Sequence, residues 1–259
     1  MDEASSPAAR RGAARRRSRW LLPGGPAVVL AVLTIDVLAN GPLVRLDRQV
    51  WSAVRPIAHS PSWQWAGGSA FSPAQLVVDL ADPHLAVPVL ALAAIAASVG
   101  LRRLRPLLTA AVAVILLVAT VIPAKLLIGR LAPGQLRLQP GDLGAFPSGH
   151  TTTAAVCYLL GALLLAPLLP AAGRRALLVI LPAWCVIVGA ALVWRDYHWV
   201  TDVAAGWALA ALILQATCWL AGQADRIARI GRADRADRRD PPDRRRDLPD
   251  GRPAARTPG

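Results

Sequence analysis

Three short segments of this chain carry side chains able to bind and cleave a phosphate group. The first reads Lys125-Leu-Leu-Ile-Gly-Arg130-Leu-Ala-Pro133. Lys125 is the single lysine among 29 lysines and arginines, so it marks a place where an ammonium is specifically wanted. An ammonium meets phosphate as a compact point charge, whereas a guanidinium offers a bidentate fork. A lysine whose stem lies in lipid and whose charge reaches the interface is the plainer alternative. The second segment, Phe146-Pro147-Ser148-Gly149-His150-Thr151-Thr152-Thr153, opens a helix directly after a glycine-rich loop. Free N–H groups at a helix start, with a serine hydroxyl and a glycine that allows close approach, form an anion site. His150 in the first turn is placed to give a proton to an oxygen leaving phosphorus. The competing reading makes Ser148 a helix cap and His150 an interfacial histidine.

The third segment is Trp194-Arg195-Asp196-Tyr197-His198-Trp199-Val200-Thr201-Asp202. His198 and Asp202 are four apart, so a helix starting near His198 puts them on one face, where the carboxylate orients the ring and stabilises it once charged. An oriented neutral imidazole is a competent nucleophile toward phosphorus. Otherwise Asp202 is a helix cap or a structural hydrogen-bond acceptor. Two histidines and an aspartate are also a zinc donor set. Lys125, Arg130 and Arg195 argue against that, because converging cations repel a metal and attract a phosphate. His59 and His84 have no partner pattern and read as interfacial. Asp36, inside an apolar run, is either a proton relay or a partner for a polar group.

The elements that position these segments are apolar runs near twenty residues long. Hydrophobic residues make up 54% of the 259 positions, and runs of that length suit a hydrocarbon layer roughly 30 Å thick. Spans are expected at about 20–43, 84–101, 106–124, 148–169, 176–195 and 199–221, with an interfacial loop at 44–83 that includes Trp51, Trp63 and Trp65. The net charge of +13 comes mainly from arginines in the tails and short loops, which points to membrane orientation and away from nucleic acid. Residues 1–19 read as a basic cytoplasmic segment, 20–221 as the membrane domain, and 222–259 as a disordered charged tail. An even number of crossings leaves Arg102, Arg103, Arg105, Arg174, Arg175 and both termini cytoplasmic, and puts all three polar segments on the outer side. Cys157, Cys185 and Cys218 lie within apolar runs without metal-ligand spacing and receive no function.

Taken together, the three segments resemble those of the type 2 phosphatidic acid phosphatase superfamily, which carries Lys-x6-Arg-Pro, Pro-Ser-Gly-His and Ser-Arg-x5-His-x3-Asp. Pro147-Ser148-Gly149-His150 and His198-x3-Asp202 match, and Gly206 continues the pattern. The resemblance implies that His198 attacks phosphorus to form a phosphohistidine, Asp202 supports it, and His150 protonates the leaving group. Lys125, Ser148, Gly149 and arginines would hold the phosphoryl oxygens, with no metal and no cofactor. Ala132 and Leu192 stand where the pattern has arginine, and Arg130 and Arg195 are expected on the phosphate in their place.

The expectation is thus an all-α, six-span bundle of the inner (cytoplasmic) membrane. It would act as a metal-independent phosphatase on a lipid phosphomonoester or diphosphate such as phosphatidate, phosphatidylglycerol phosphate or a polyprenyl (di)phosphate. Its partners would be that lipid substrate and the bilayer. The alternative is a non-catalytic transport or lipid-binding protein on the same scaffold.

Overall fold

The computed structural model describes residues 24–67 and 72–239; the basic segment 1–19 and residues 240–259 lie outside the described part. The chain divides into two compact units, residues 1–218 and 219–259. The described residues of the first are almost all helical. Helix α1 is Gly24–Leu38 and α2 is Pro42–Ala58. A 3-10 turn at Pro61–Trp63 leads to the single turn α3, Gln64–Gly67, and then α4, Pro73–Ala81. The long helices follow: α5 Pro83–Leu101, α6 Arg105–Ile128, α7 Gly149–Leu165, α8 Ala171–Trp194 and α9 Val200–Arg239.

Helices α5 to α9 are each long and apolar enough to cross a membrane, and α1 and α2, bent by 80° at the break between them, pass that test only as a pair. The chain is therefore a multi-pass membrane protein of the expected all-α class. Inward faces are narrow stripes of small side chains. On α5 the stripe is Ala86, Leu90, Ala94 and Ala97, and on α6 it is Ala110, Ala113, Leu117 and Val121. Small residues matter here because lipid removes the hydrophobic drive between helices, leaving close packing to hold them. Leu92 and Val99 of α5, and Leu108 and Ile115 of α6, point outward. In water that surface would aggregate, and in lipid it is solvated. Helix α7 is the centre of the bundle, with Thr151 to Cys157 buried without interruption and packed on α5, α6 and α8.

The stretch expected as a loop at 44–83 is largely helical. Val44, Asp47, Trp51, Val54 and Ala58 repeat at threes and fours and turn inward, while Arg45, Arg48 and Arg55 face out. That period is the signature of a helix lying along a surface. Residues 219–239 of the second unit are helical too, where a disordered tail from 222 was expected. Alanine and arginine, both good helix formers, dominate there.

Asp36 has a structural use. Past Leu38 the chain turns through Asn40, at φ 50°, and α2 begins with unpaired N–H groups. The Asp36 carboxylate takes two of them, accepting from Leu43 N at 3.2 Å and Val44 N at 2.9 Å. A Cβ on Gly41 would run into that carboxylate, 2.1 Å from Oδ1, so only glycine fits there. Replacing Asp36 with alanine should cost about 1 kcal/mol, the usual value of a helix cap. Melting in detergent, followed by tryptophan fluorescence, should fall by about 2–4 °C; an unchanged Tm would mean that water caps α2 equally well.

Candidate active site

Helix α8 ends at Trp194 because Asp196, at φ 57°, turns the backbone left-handed. Tyr197 N then closes back on Leu192 O at 3.0 Å. This reversal delivers His198 just ahead of α9, with Asp202 in the first turn of that helix. Asp202 is fully buried, and its Oδ2 accepts from Trp199 N at 3.0 Å and faces His198 Nδ1 at 3.4 Å. The expected pairing on one helix face is present, as a long contact. A carboxylate beside Nδ1 favours the tautomer with its proton there, which leaves the lone pair on Nε2. Burial pulls the pKa of His198 below its ordinary value; the Asp202 carboxylate works against this and Lys125 adds to it. The ring is therefore neutral near pH 7, as a nucleophile requires.

The other oxygen of Asp202 takes Arg130. Arg130 Nη1 donates to Asp202 Oδ1 at 2.5 Å and to Thr201 Oγ1 at 2.6 Å, while Nη2 donates to Asp47 Oδ2 at 2.7 Å. Asp47 in turn accepts from Thr201 N at 3.0 Å and from Thr201 Oγ1 at 2.5 Å. The guanidinium is 10% exposed and lies over the Trp199 ring at 5.5 Å. Helix α2 also grips the α8–α9 reversal at a second place. Trp51 Nε1 donates to Asp196 Oδ1 at 2.8 Å, and His59 Nε2 sits 2.7 Å from Asp196 Oδ2.

Across from His198, Ser148 caps α7, its Oγ accepting from Thr151 N at 3.3 Å and Thr151 Oγ1 at 2.8 Å. Ser148 N donates to Asp202 O at 3.0 Å, tying the starts of α7 and α9 together. Gly206 makes that contact possible, since a Cβ there would lie 3.0 Å from Ser148 O. Lys125, in the last turn of α6, donates from Nζ to Gly144 O at 2.6 Å, and its Cε would sit 3.3 Å from a Cβ on Gly149. His150 stands with its ring centre 6.5 Å from that of His198 and its Nε2 3.3 Å from Asp82 Oδ2. The other oxygen of Asp82 caps α5, accepting from His84 N at 2.8 Å.

These groups surround a cavity of about 770 Å³. Lys125, Gly149, His150 and His198 line its polar end, and Val114, Leu117, Val118, Val121 and Ile122 of α6 form an apolar wall. Neither Arg130 nor Arg195, both expected at the phosphate, is among the lining residues. Arg195 turns the other way, its Nη1 on the carbonyl of Gly67 and its Nη2 3.3 Å from the Tyr197 hydroxyl. Ser148 is wholly buried as a cap and meets the cavity only through its neighbours. Among the described residues no three His, Cys, Asp or Glu side chains converge as metal ligands. Asp47 and Asp82 went unremarked in the sequence. Asp47 had a signal, an acidic residue set into the apolar stripe of an amphipathic helix, and Asp82 had another, an aspartate directly before the proline that opens α5.

Residues 106–226 match the family model of the PAP2 superfamily. The fold is similar to the crystal structure of the first transmembrane PAP2-type phosphatidylglycerolphosphate phosphatase from Bacillus subtilis, with a TM-score of 0.65 and 20% identity over 78% of this chain and 96% of that one. No curated protein matches the sequence. The likeness read from the three segments is thus borne out for the stretch that contains them, and the structural neighbour bears out the fold.

The electrostatics of His198 can be checked without turnover. Its ring should take up a proton with a midpoint below about 6.5, the ordinary histidine value. Imidazole ¹⁵N shifts of the labelled protein in detergent, compared with those of His198→Gln to assign the resonance, would report it. A midpoint above that value would mean that Asp202 outweighs burial and that the ring is largely protonated at mildly acidic pH.

Proposed function

We propose that this chain, with its PAP2 likeness over the catalytic segments, is a lipid phosphate phosphatase working through a phosphohistidine. The observation that carries the reading is a buried, carboxylate-oriented His198 opening on a cavity whose far wall is the apolar face of α6. The His198 lone pair attacks phosphorus and forms the P–N bond while the ester oxygen leaves with its electron pair, taking a proton from His150. Water, deprotonated by His150, then attacks the phosphohistidine, breaks the P–N bond and releases inorganic phosphate. Lys125 and the free N–H groups at the start of α7, beside Gly149, hold the phosphoryl oxygens as charge builds on them. Asp202 balances the positive charge that His198 carries while phosphorylated. No step requires a metal.

The α6 wall supports a lipid over a small soluble ester, since an acyl or prenyl chain gains by lying against it and a sugar does not. Among the described residues Lys125 is the one lysine or arginine lining the cavity, which is the feature favouring the alternative of a non-catalytic lipid-binding or transport protein. Turnover separates the two. Purified protein should hydrolyse at least one of phosphatidate, phosphatidylglycerol phosphate and a polyprenyl (di)phosphate. The His198→Asn variant should lose on the order of a thousandfold or more in kcat while remaining folded, and excess EDTA should leave the wild type active. A fully active His198→Asn would remove the nucleophile assignment, and loss with EDTA restored by zinc would replace it with a metal mechanism.

Sidedness rests on charge. The turns containing Arg102, Arg103 and Arg105, and Arg174 and Arg175, lie at the opposite ends of their helices from the site. By the positive-inside rule the turns face the cytoplasm and the site the outer side of the membrane. In a cysteine-free background, Arg137→Cys should react with an impermeant maleimide from outside and Arg103→Cys only after permeabilisation. The reverse pattern would place the head group on the inner leaflet.

A further inference from the structure

Asp47 lies outside residues 106–226 and on a helix that contributes nothing to the cavity, yet it is 2% exposed and bonded on both oxygens. A carboxylate buried this deeply is costly unless a cation and hydrogen bonds answer it. A surface helix with a purely structural task could put another apolar residue at that point of its stripe, between Val44 and Trp51. The network around it runs without a gap to the nucleophile: Asp47 to Arg130, Arg130 to Asp202, Asp202 to His198. Thr201 braces it, donating its hydroxyl to Asp47 and accepting from Arg130.

We propose that Asp47 is a positioning residue for the reaction above, acting through Arg130 to hold Asp202 in place and to take up part of the guanidinium charge that would otherwise cancel it. The inference rests on His198 being the nucleophile of that reading. One guanidinium stands between two carboxylates, so the cluster keeps one negative charge, beside the ring that becomes positive on phosphorylation. Arg130, the guanidinium expected at the phosphate, here acts on the enzyme's own carboxylates. Its fork suits either role, because carboxylate and phosphate present the same oxygen geometry.

Charge bookkeeping gives opposite signs for the two ends of the network. In Asp47→Asn the whole Arg130 charge falls on Asp202, the cluster becomes neutral and protonated His198 loses support, so the acid limb of the kcat profile moves to lower pH. In Arg130→Gln the cluster carries two negative charges and the limb moves to higher pH. The other groups facing His198 are Lys125 of α6, His150 of α7 and the backbone at Ala145, and these stay the same in both variants.

The experiment is kcat and KM against pH for purified wild type, Asp47→Asn and Arg130→Gln on a lipid phosphomonoester in detergent, together with the ¹⁵N titration of His198 in each. Asp47→Asn should lower kcat by about tenfold to a hundredfold with KM within about threefold, and should move the His198 midpoint down. Should Arg130→Gln fail to fold, Asp47→Asn alone decides. A folded Asp47→Asn with an unmoved His198 midpoint overturns the proposal, whatever its activity, as does a lower yield of folded protein with normal kcat. A wild type inactive on every lipid phosphate overturns the phosphatase reading instead, and the titration, which needs no turnover, still decides whether Asp47 governs His198.

Discussion

The site depends on one physical constraint, that the Asp202 carboxylate is 0% exposed in the first turn of a membrane helix and both its oxygens need donors. A carboxylate buried in a low-dielectric medium is costly unless hydrogen bonds and a cation answer it. The chain answers it from three directions. Trp199 N bonds one oxygen, Arg130 bonds the other, and Asp47 and Thr201 fix Arg130 from behind. Each answer recruits a different part of the fold. Arg130 is supplied by the loop that follows α6, which is why that helix must stop at Gly129, at φ 57°. Asp47 comes from α2, which is why the chain must bend by 80° after α1 and lie across the helix ends.

The same end of the bundle has to be both charged and tightly packed, and its small residues reconcile the two. Gly206 lets α9 approach the start of α7 closely enough for Ser148 N to reach the Asp202 backbone. Gly144 allows the loop to press against the end of α6, since a Cβ there would lie 2.7 Å from Lys125 O. Lys125 Nζ is then held by Gly144 O at the rim of the cavity. In each case a missing side chain provides the room and a backbone atom takes part in the polar contact.

Much of this was legible in the sequence because it is local. The apolar runs, the Ser148 cap, the i, i+4 pair His198 and Asp202 and the basic turns all follow from spacing within a few residues. What escaped was long-range. Arg130 meets Asp47 across 83 positions and Thr201 meets it across 154, and no period or motif links such residues. The sequence showed that Arg130 was a guanidinium near an anion without saying which anion. Asp36 was ambiguous for the opposite reason: its partners are only seven and eight residues away, but recognising a cap there requires knowing that the apolar run ends at Leu38 and a new helix starts. Periodicity did hold the clue to α2, in the stripe from Val44 to Ala58, though its arginines and tryptophans drew attention to the interface instead.

The bend between α1 and α2 also bears on how the protein comes into being. Its fastening is complete within nine residues, from Asp36 to Val44, so it can form as soon as that stretch leaves the ribosome. Asp47, three residues further on, then waits. Its cation arrives 83 positions later and its remaining partner 154 positions later, and until then its charge is at home only in water. Long-range pairings of this kind are late events in assembly. Helix α2 therefore cannot complete its contacts until four further membrane helices and the start of α9 have been made. The candidate site is closed by two segments made 154 positions apart.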